Sequence, residues 1–327
     1  MSGGLAIPLN PPMGIGQILD RAFGLLRNSW KTFVGIALLP PAAFVVTLGI
    51  ALGGVMIPAT AHMPKNPSHA QNLQIAILFF TFFAVVMLIH SAVFAPSLAA
   101  GSYAAVSADL GKRVTFKQSY AFALRQYGRH LLLLIIILLI GASPVLLFEA
   151  LAIIPVLLLQ HRTTTPGPLL FAFVPLVFIA FIAVYIFSVV AMLRLSLAFP
   201  ACVTESLTAV AGVRRSNQLT RGAKGRIFVV LLVVYAISYA IYLVSFCLSI
   251  FLFGFIYLIP ALLVKHLPLA VSMVVAGIAI LCILCGLILS MACTGAGFVT
   301  ALAVIYNDQR RLMDAPAPNA IASGAPA

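Results

Sequence analysis

The chain has 327 residues, of which 63% are hydrophobic and 8% are charged, and its formal net charge is +13. About 25% of the residues of a soluble domain are charged, so this composition excludes a soluble globular domain. The apolar residues form continuous runs, which favours a bundle of membrane helices over a β-barrel. The positive residues flank these runs without any base-stacking motif, so we expect no nucleic-acid partner.

Six apolar runs predict six transmembrane helices, because about 20 apolar residues are needed to cross a bilayer. In chain order the runs are about Phe33–Ile57, Leu73 to past Ala95, Leu131–Leu159, Leu169–Phe199, Ile227–Leu258 and Leu269–Val304. Pro40 and Pro41 interrupt the first run. Several runs are longer than the bilayer requires, so we expect these helices to tilt, kink or project beyond it.

The cations are divided unevenly between the two sides of this pattern. Three of the 19 Lys and Arg residues lie in the loops after the first, third and fifth runs, one in each loop: Lys65, Arg162 and Lys265. All the others lie on the opposite side. The positive-inside rule predicts that the cation-rich side, with both termini, is cytoplasmic.

A basic amphipathic segment precedes the first, third and fifth runs. The three segments are GQILDRAFGLLRNSWK, FKQSYAFALRQYGRH and LTAVAGVRRSNQLTRGAKGR. We expect each to form an interfacial helix on the cytoplasmic side, with Trp30, Phe116 and Tyr120 at the level of the lipid headgroups. The cations of these helices would then meet anionic lipid. The alternative left open is that they are ordinary elbow helices which orient the bundle.

Two sets of residues recur with a period near 100. The cations of the first set are Arg27, Arg125 and Arg221, at intervals of 98 and 96 residues. The acids of the second set are Asp109, Glu205 and Asp308, at intervals of 96 and 103 residues. This period indicates a threefold internal repeat.

The repeat units cover about residues 13–110, 111–206 and 207–311, within a single six-span membrane domain at 13–311. We expect residues 1–12 to be flexible. The Ala/Pro-rich tail at 312–327 has too little apolar content to bury a core, so it is predicted to be disordered.

Three ionisable residues are candidates within the spans. Glu149 lies inside an apolar run between Pro144 and Pro155, and a carboxylate in a kinked helix is typical of a transport site. The alternative is a carboxylate that reaches the outer interface or stays protonated. His90 is expected to be a neutral imidazole bonded to a carbonyl, with a proton relay as its alternative. Arg194 is expected to extend to the inner interface.

Candidate ion-pair or lipid-binding residues lie in the basic segments. They are Arg21, Arg27 and Lys31 in the first segment, and Glu205, Arg214, Arg215 and Arg221 around the third. Glu205 follows the fourth run, and we expect it to pair with an Arg of its own segment and so hold the third interfacial helix against the bundle. The alternative is a solvated carboxylate in a turn.

Motifs for catalysis are missing from the sequence. It contains no G-x-S-x-G, no H-E-x-x-H and no Gly-rich phosphate loop, so we predict no catalytic, cofactor-binding or metal site. The leading hypothesis is a non-enzymatic protein that organises the membrane by binding anionic lipid or a membrane-protein partner. A permease or exporter, and a membrane-embedded enzyme, remain as alternatives, and the pattern gives no oligomeric state.

Three stretches together resemble one family. They are GQILDRAFGLLRNSW, AFPACVTESLTAVAGVRRSNQLTRGAKGRI and ALAVIYNDQRR, and the resemblance extends over about residues 15–311. The matching positions in the middle stretch are Pro200, Glu205, Gly212, Arg215-Ser216, Leu219-Thr220 and Arg221-Gly222. These stretches resemble the glycerophosphoryl diester phosphodiesterase membrane-domain family. The last stretch departs from the family at Asp308-Gln309-Arg310, where the family has Asp-Leu-Arg.

The resemblance implies a polytopic protein of the bacterial inner membrane. It does not imply phosphodiesterase activity, because the family's separate catalytic domain uses a His-Arg-Gly motif and this sequence has none.

The cation split makes a topology prediction. Cysteine labelling at Lys65, Arg162 and Lys265 with a membrane-impermeant reagent should find all three loops periplasmic, because the positive-inside rule places the cation-poor side outside. A cytoplasmic loop at Arg162 would contradict the six-span model.

Overall fold

The computed structural model describes residues 12–56, 68–160, 168–258 and 269–314, and nearly all of them are helical. The helices are α1 (Ile15–Asn28), α2 (Trp30–Ala51), α3 (His69–Asp109), α4 (Phe116–Arg125), α5 (Tyr127–Gln160), α6 (Pro168–Leu195), α7 (Ala198–Thr204), α8 (Ala209–Leu219), α9 (Lys224–Phe253) and α10 (Leu269–Asp314). Helices α2 and α9 each continue into a π-helical turn, at Leu52–Met56 and Gly254–Leu258. Within these ranges there is no strand, and the predicted all-helical class is confirmed.

Five helical stretches are long and apolar enough to cross a membrane. They are Trp30–Gly54, Ile77–Asp109, Pro175–Thr204, Lys224–Ile256 and Val274–Asp314. A sixth is counted when α4 and Tyr127–Gly141 of α5, which meet at 81°, are taken as one broken span. The membrane class is therefore supported. The number of six spans and the threefold repeat stay predictions.

The last helix is the centre of the bundle. Helix α10 packs against α1, α2, α3, α7, α8 and α9. Small residues allow the closest approach, as at Gly101 of α3, where a Cβ atom would lie 3.1 Å from Cγ1 of Val299 on α10. Packing through small residues is how membrane helices gain dispersion contacts without a hydrophobic driving force. Large apolar side chains such as Leu88 and Ile50, each 70% exposed, cover the outside.

The three basic segments form separate short helices, α1, α4 and α8. Helices α4 and α8 begin at threonine caps, where Thr115 and Thr208 accept hydrogen bonds from backbone N–H groups. On α1, Ile18 and Ala22 are buried, and Trp30, which begins α2, is 55% exposed. The role of the three short helices at a membrane interface stays a prediction.

Pro40 leaves one backbone carbonyl of α2 without its helical donor. Proline has no N–H, so the carbonyl of Ile36, one turn earlier, loses its usual hydrogen bond. The Tyr120 hydroxyl of α4 donates to this carbonyl at 3.1 Å and also lies 2.8 Å from Oγ of Ser97. Helix α2 therefore runs through Pro40 and Pro41 without interruption, and Tyr120, expected at the headgroup level, is buried instead.

The same arrangement occurs in α3. Pro96 leaves the carbonyl of Ala92 without a helical donor, and the Tyr127 hydroxyl donates to it at 3.2 Å. Tyr120 and Tyr127 lie on the two sides of the bend between α4 and α5. An unsatisfied carbonyl is costly where water is absent. The two tyrosines at the bend between α4 and α5 therefore stabilise two proline-containing helices, α2 and α3.

We predict that Tyr120→Phe lowers the free energy of unfolding by about 1–3 kcal/mol, because the Ile36 carbonyl then stays buried without a donor. Adding Pro40→Ala should recover most of this loss, since an alanine at that position supplies the missing N–H. Thermal unfolding in mild detergent, followed by circular dichroism, measures both.

The matched control is Tyr103→Phe. The Tyr103 ring stacks on Phe122 at 4.2 Å, but its hydroxyl makes no hydrogen bond within the described ranges. Its melting temperature should equal that of the parent. A Tyr120→Phe loss that Pro40→Ala leaves unchanged would show that the hydroxyl does not act through the Ile36 carbonyl.

Candidate functional site

Three carboxylates meet at the C-terminal part of α10. The Tyr306 hydroxyl donates to Oε1 of Glu205 at 2.9 Å, and Nδ2 of Asn307 donates to Oδ2 of Asp109 at 2.7 Å. Asp308 is the third acid, and all of these α10 residues are buried. Consecutive residues of an α-helix point about 100° apart, so Tyr306, Asn307 and Asp308 project in three directions. The first two contact acids of other segments, and Asp308 contacts Arg226. We call Asp109, Glu205 and Asp308 the carboxylate cluster.

Asp109 pairs with Arg21 of α1. The Arg21 side chain donates from Nε to Oδ1 of Asp109, and from Nη2 to the Asp109 carbonyl at 3.1 Å. The Asp109 side chain is only 1% exposed. Asp109 is also the last residue of α3, where the helix dipole disfavours a negative charge. Its burial therefore depends on Arg21 and Asn307.

Asp308 pairs with Arg226 at the start of α9. The Arg226 guanidinium also donates from Nη1 to the carbonyl of Met13 at 3.0 Å, while the Met13 N–H donates to Oδ1 of Asp308 at 3.1 Å. This ring of hydrogen bonds attaches the residues before α1 to both α9 and α10.

Glu205 pairs with Arg215 of α8, an Arg of its own segment. The Arg215 Nε lies 3.1 Å from each carboxylate oxygen of Glu205, and its Nη2 donates to Oδ1 of Asp314 at 2.9 Å. The hydrogen bonds to Asp314 and Glu205 raise the pKa of the Arg215 guanidinium, so it stays charged. Asp314 is the last residue of α10, so this helix includes the first three residues of the segment 312–327 that is predicted to be disordered. The rest of that segment lies outside the described residues.

Contacts of Gly212 and Ser216 hold α8 in the position from which Arg215 reaches Glu205. A Cβ atom on Gly212 of α8 would lie 3.1 Å from Cβ of Cys202 on α7, so the two helices touch through a glycine. Oγ of Ser216 donates to the Arg194 carbonyl at 2.7 Å and accepts from the Leu197 N–H at 3.2 Å, which spans the break between α6 and α7.

Several of the positions that carry the family resemblance therefore have structural contacts. Glu205 and Arg215 form the ion pair, Gly212 permits close packing, and Leu219 and Thr220 are fully buried. Gly222 has φ +78°, a conformation that favours glycine. None of these contacts requires a ligand, so they describe a scaffold.

The remaining candidates lie apart from the cluster. Arg27, Lys31, Arg194, Arg214 and Arg221 are exposed and make no ion pair within the part of the chain that is described.

The two candidates inside the spans also lie elsewhere. Glu149 is exposed on α5, which is described as one helix through Pro144 and Pro155. The His90 ring lies between Phe44 and Phe94, with centroids 5.2 and 5.5 Å away, and its Nδ1 is buried without a hydrogen-bond partner among the described residues.

Arg226, Tyr306 and Asn307 were not singled out from the sequence. One signal could have found the first of them, because Lys31, Arg129 and Arg226 recur at intervals of 98 and 97 residues. Arg226 has Asp308 as its partner, whereas Nε and Nη2 of Arg129 are buried without a hydrogen-bond partner among the described residues. In the repeat, Arg129 corresponds to Arg226 and Glu205 corresponds to Asp308. Glu205, however, pairs with Arg215 and not with Arg129.

No protein-family model matches this chain, and neither a curated protein nor a solved structure matches it. The family resemblance therefore stays a prediction. Within the described ranges, no group of three or more His, Cys, Asp and Glu side chains is placed to hold a metal ion.

We predict that Glu205→Gln lowers the free energy of unfolding by about 1.5–3 kcal/mol, because charged hydrogen bonds from Arg215 and Tyr306 are weakened. Asp109→Asn should cost more, about 3–5 kcal/mol, since it leaves Arg21 unpaired beside a buried site. Thermal unfolding in detergent measures both.

Asp20→Asn is the matched control, because Asp20 is exposed on α1 and belongs to no ion pair in the described chain. It removes one negative charge and should leave the melting temperature unchanged. A Glu205→Gln variant as stable as the Asp20→Asn variant would mean that the pair does not hold α8 on the bundle.

Proposed function

We propose that the protein is a non-enzymatic, six-span protein of the bacterial inner membrane which binds anionic lipid at its cation-rich, cytoplasmic end. The proposal includes membership of the family that its middle segment resembles. The observation that carries it is the uneven use of charge at the end that holds the carboxylate cluster. At this end most of the carboxylates form ion pairs with arginines of the protein, and most of the cations that remain unpaired in the described residues are exposed.

The negative charges at this end are almost all used within the protein. Asp109, Glu205, Asp308 and Asp314 each pair with an arginine. Ten exposed cations have no carboxylate partner among the described residues: Arg27, Lys31, Lys112, Arg113, Lys117, Arg125, Arg194, Arg214, Arg221 and Arg311. Asp20 is the one exposed acid of this end that is left without an ion pair in the same ranges.

Electrostatics then favours an anionic surface. An exposed cation near an anionic membrane contributes about 1 kcal/mol, and this attraction extends over a Debye length of about 10 Å at 0.1 M salt. Exposed cations on several helices, α1, α4 and α8 among them, therefore add up to a strong attraction. Internal pairs make no such contribution, because their charges are already compensated.

Arg21 must be removed from the candidate lipid site of the first segment. Its guanidinium is held by Asp109, so neutralising it would disturb the fold instead of reporting on lipid. Arg27 and Lys31 stay in the proposal, because both are exposed and unpaired within the described ranges.

Transport is not favoured by any specific contact. Glu149 was the residue on which a permease hypothesis depended, and its side chain is exposed on the outside of α5. A membrane-protein partner for the basic end is retained as an outcome of the test below.

We expect anionic lipid to be enriched, relative to the bulk membrane, in the lipid that copurifies in mild detergent. Mass spectrometry of the copurified lipids and proteins measures this enrichment. It should fall as salt rises, because exposed charges are screened. Arg27→Gln combined with Lys31→Gln should weaken the attraction by about 2 kcal/mol, at about 1 kcal/mol per cation.

The matched control is Lys65→Gln with Lys265→Gln, which removes two cations predicted to lie on the opposite side. It should leave the enrichment unchanged. A stoichiometric copurifying protein with no lipid enrichment would replace lipid by a protein partner. Equal amounts of anionic and zwitterionic lipid at every salt concentration, with no such protein, would overturn the proposal.

A further inference from the structure

A polar cleft of about 770 Å³ lies at the elbow between α1 and α2. Its lining includes the start of α2 and the connection from α3 to α4. Phe33 is buried at this cleft, whereas Trp30, Lys31, Lys112 and Arg113 are exposed. We call this space the elbow cleft.

Three cations line the elbow cleft and no acid does. Lys31, Lys112 and Arg113 come from two separate parts of the chain and make no ion pair among the described residues. Like charges gathered around one concave surface focus a positive potential there and raise the local concentration of anions. The Asp109 carboxylate lies close in sequence, but Arg21 and Asn307 occupy it.

The backbone holds these cations in place. Gly111, with φ +78°, lies just after the end of α3, and the Lys112 N–H donates to the Ser107 carbonyl at 2.9 Å. This hydrogen-bonded helix end fixes the start of the segment that carries Lys112 and Arg113. On the other side of the cleft, Ser29 precedes α2 without a side-chain capping bond. The Thr32 N–H donates to the Ser29 carbonyl at 3.0 Å, so the N–H groups of Trp30 and Lys31, the first two of α2, are the ones open to an anion.

Trp30 places the elbow cleft at the level of a membrane surface. It is the only tryptophan of the chain, it is 55% exposed, and it begins the membrane-crossing stretch Trp30–Gly54. Tryptophan favours the interface between headgroups and acyl chains. Nζ of Lys31 lies 6.0 Å from the centre of the indole ring, so a cation and an amphipathic ring lie side by side.

These observations together point to one ligand chemistry. We infer that the elbow cleft binds the phosphate group of an anionic phospholipid, held by Lys31, Lys112, Arg113 and the open N–H groups of α2, with its acyl chains beside Trp30. The inference rests on the proposed function and deepens it, because it assigns a defined headgroup site in place of a general attraction.

The single tryptophan makes the site directly observable. The protein is placed in nanodiscs of phosphatidylcholine that contain increasing phosphatidylglycerol with brominated acyl chains, and quenching of the Trp30 fluorescence is recorded. We expect saturable quenching at a low mole fraction of brominated phosphatidylglycerol. Brominated phosphatidylcholine at the same mole fraction should quench weakly. Inorganic phosphate added to pure phosphatidylcholine nanodiscs should leave the fluorescence unchanged.

The test variant is Lys31→Gln, Lys112→Gln and Arg113→Gln together. Removing the three cations that would contact one phosphate directly should weaken phosphatidylglycerol binding in the cleft on the order of 100-fold, because charge-assisted hydrogen bonds to that phosphate are lost. The matched control, Lys117→Gln, Arg125→Gln and Arg221→Gln, removes the same charge from the same end but outside the cleft lining. These residues attract the membrane surface as a whole and would not contact the lipid in the cleft, so the control should weaken binding in the cleft far less. If the triple variant unfolds early by circular dichroism, Arg113→Gln against Lys117→Gln repeats the comparison, with about a fivefold loss expected for the former.

Three outcomes would overturn the inference, and each has a different meaning for the proposed function. Equal losses in the test and control variants would replace the elbow cleft by diffuse attraction and leave the proposed function standing. Saturation by inorganic phosphate without a response to phosphatidylglycerol would make the ligand a soluble phosphate and remove the lipid. Equal quenching by brominated phosphatidylcholine and phosphatidylglycerol would remove both the cleft site and the proposed lipid selectivity.

Discussion

A carboxylate withdrawn from water near the end of an apolar helix is costly unless a cation reaches it, and this protein pairs three such carboxylates, of which Asp109 and Asp308 are buried and Glu205 is 17% exposed. Asp109, Glu205 and Asp308 are paired with Arg21, Arg215 and Arg226, which belong to helices other than those that carry the acids. Removing one partner of such a pair leaves an uncompensated charge, so each pair holds one helix firmly to another. Because α10 contributes to all three environments, the same few residues set the positions of α1, α8 and α9 around it.

A second constraint acts on the backbone. In apolar surroundings a carbonyl without a donor is costly, and the prolines of α2 and α3 create such carbonyls. Tyr120 and Tyr127 satisfy them from the bend between α4 and α5. Helix α4 thus has a structural role in the bundle, in addition to any contact with lipid. The two roles are compatible, because Tyr120 on its buried face donates to a carbonyl of α2 while Lys117 and Arg125 are exposed.

The internal use of acids has a consequence for function. With only six acids in the chain, four of them bound to arginines, the positive charge of the cluster end is not neutralised by the protein itself. The fold therefore separates two kinds of cation. Arg21, Arg215 and Arg226 hold the structure, whereas Lys31, Lys112 and Arg113 surround an open cleft. The proposed ligand for this end supplies negative charge, and the abundant source of it in a membrane is the phospholipid headgroup.

The amino-acid sequence by itself determined the membrane class, the long apolar helices and the three acids of the carboxylate cluster. Hydrophobic length and continuity depend only on neighbouring residues, so they can be counted along the chain. The period near 100 selected Asp109, Glu205 and Asp308, and Glu205 could be expected to pair within its own segment because Arg215 is only ten positions away.

Tertiary structure alone decided the other partners. Arg21 and Asp109 are 88 residues apart, and Asn307 and Asp109 are 198 apart. Helical periodicity shows which face of a segment is apolar, but it does not show which neighbour that face meets. The same gap explains why Tyr120, expected at the headgroup level, is instead buried at the Ile36 carbonyl. Burial depends on the packing of helices that are distant in the chain, and that packing is fixed only when the whole bundle forms.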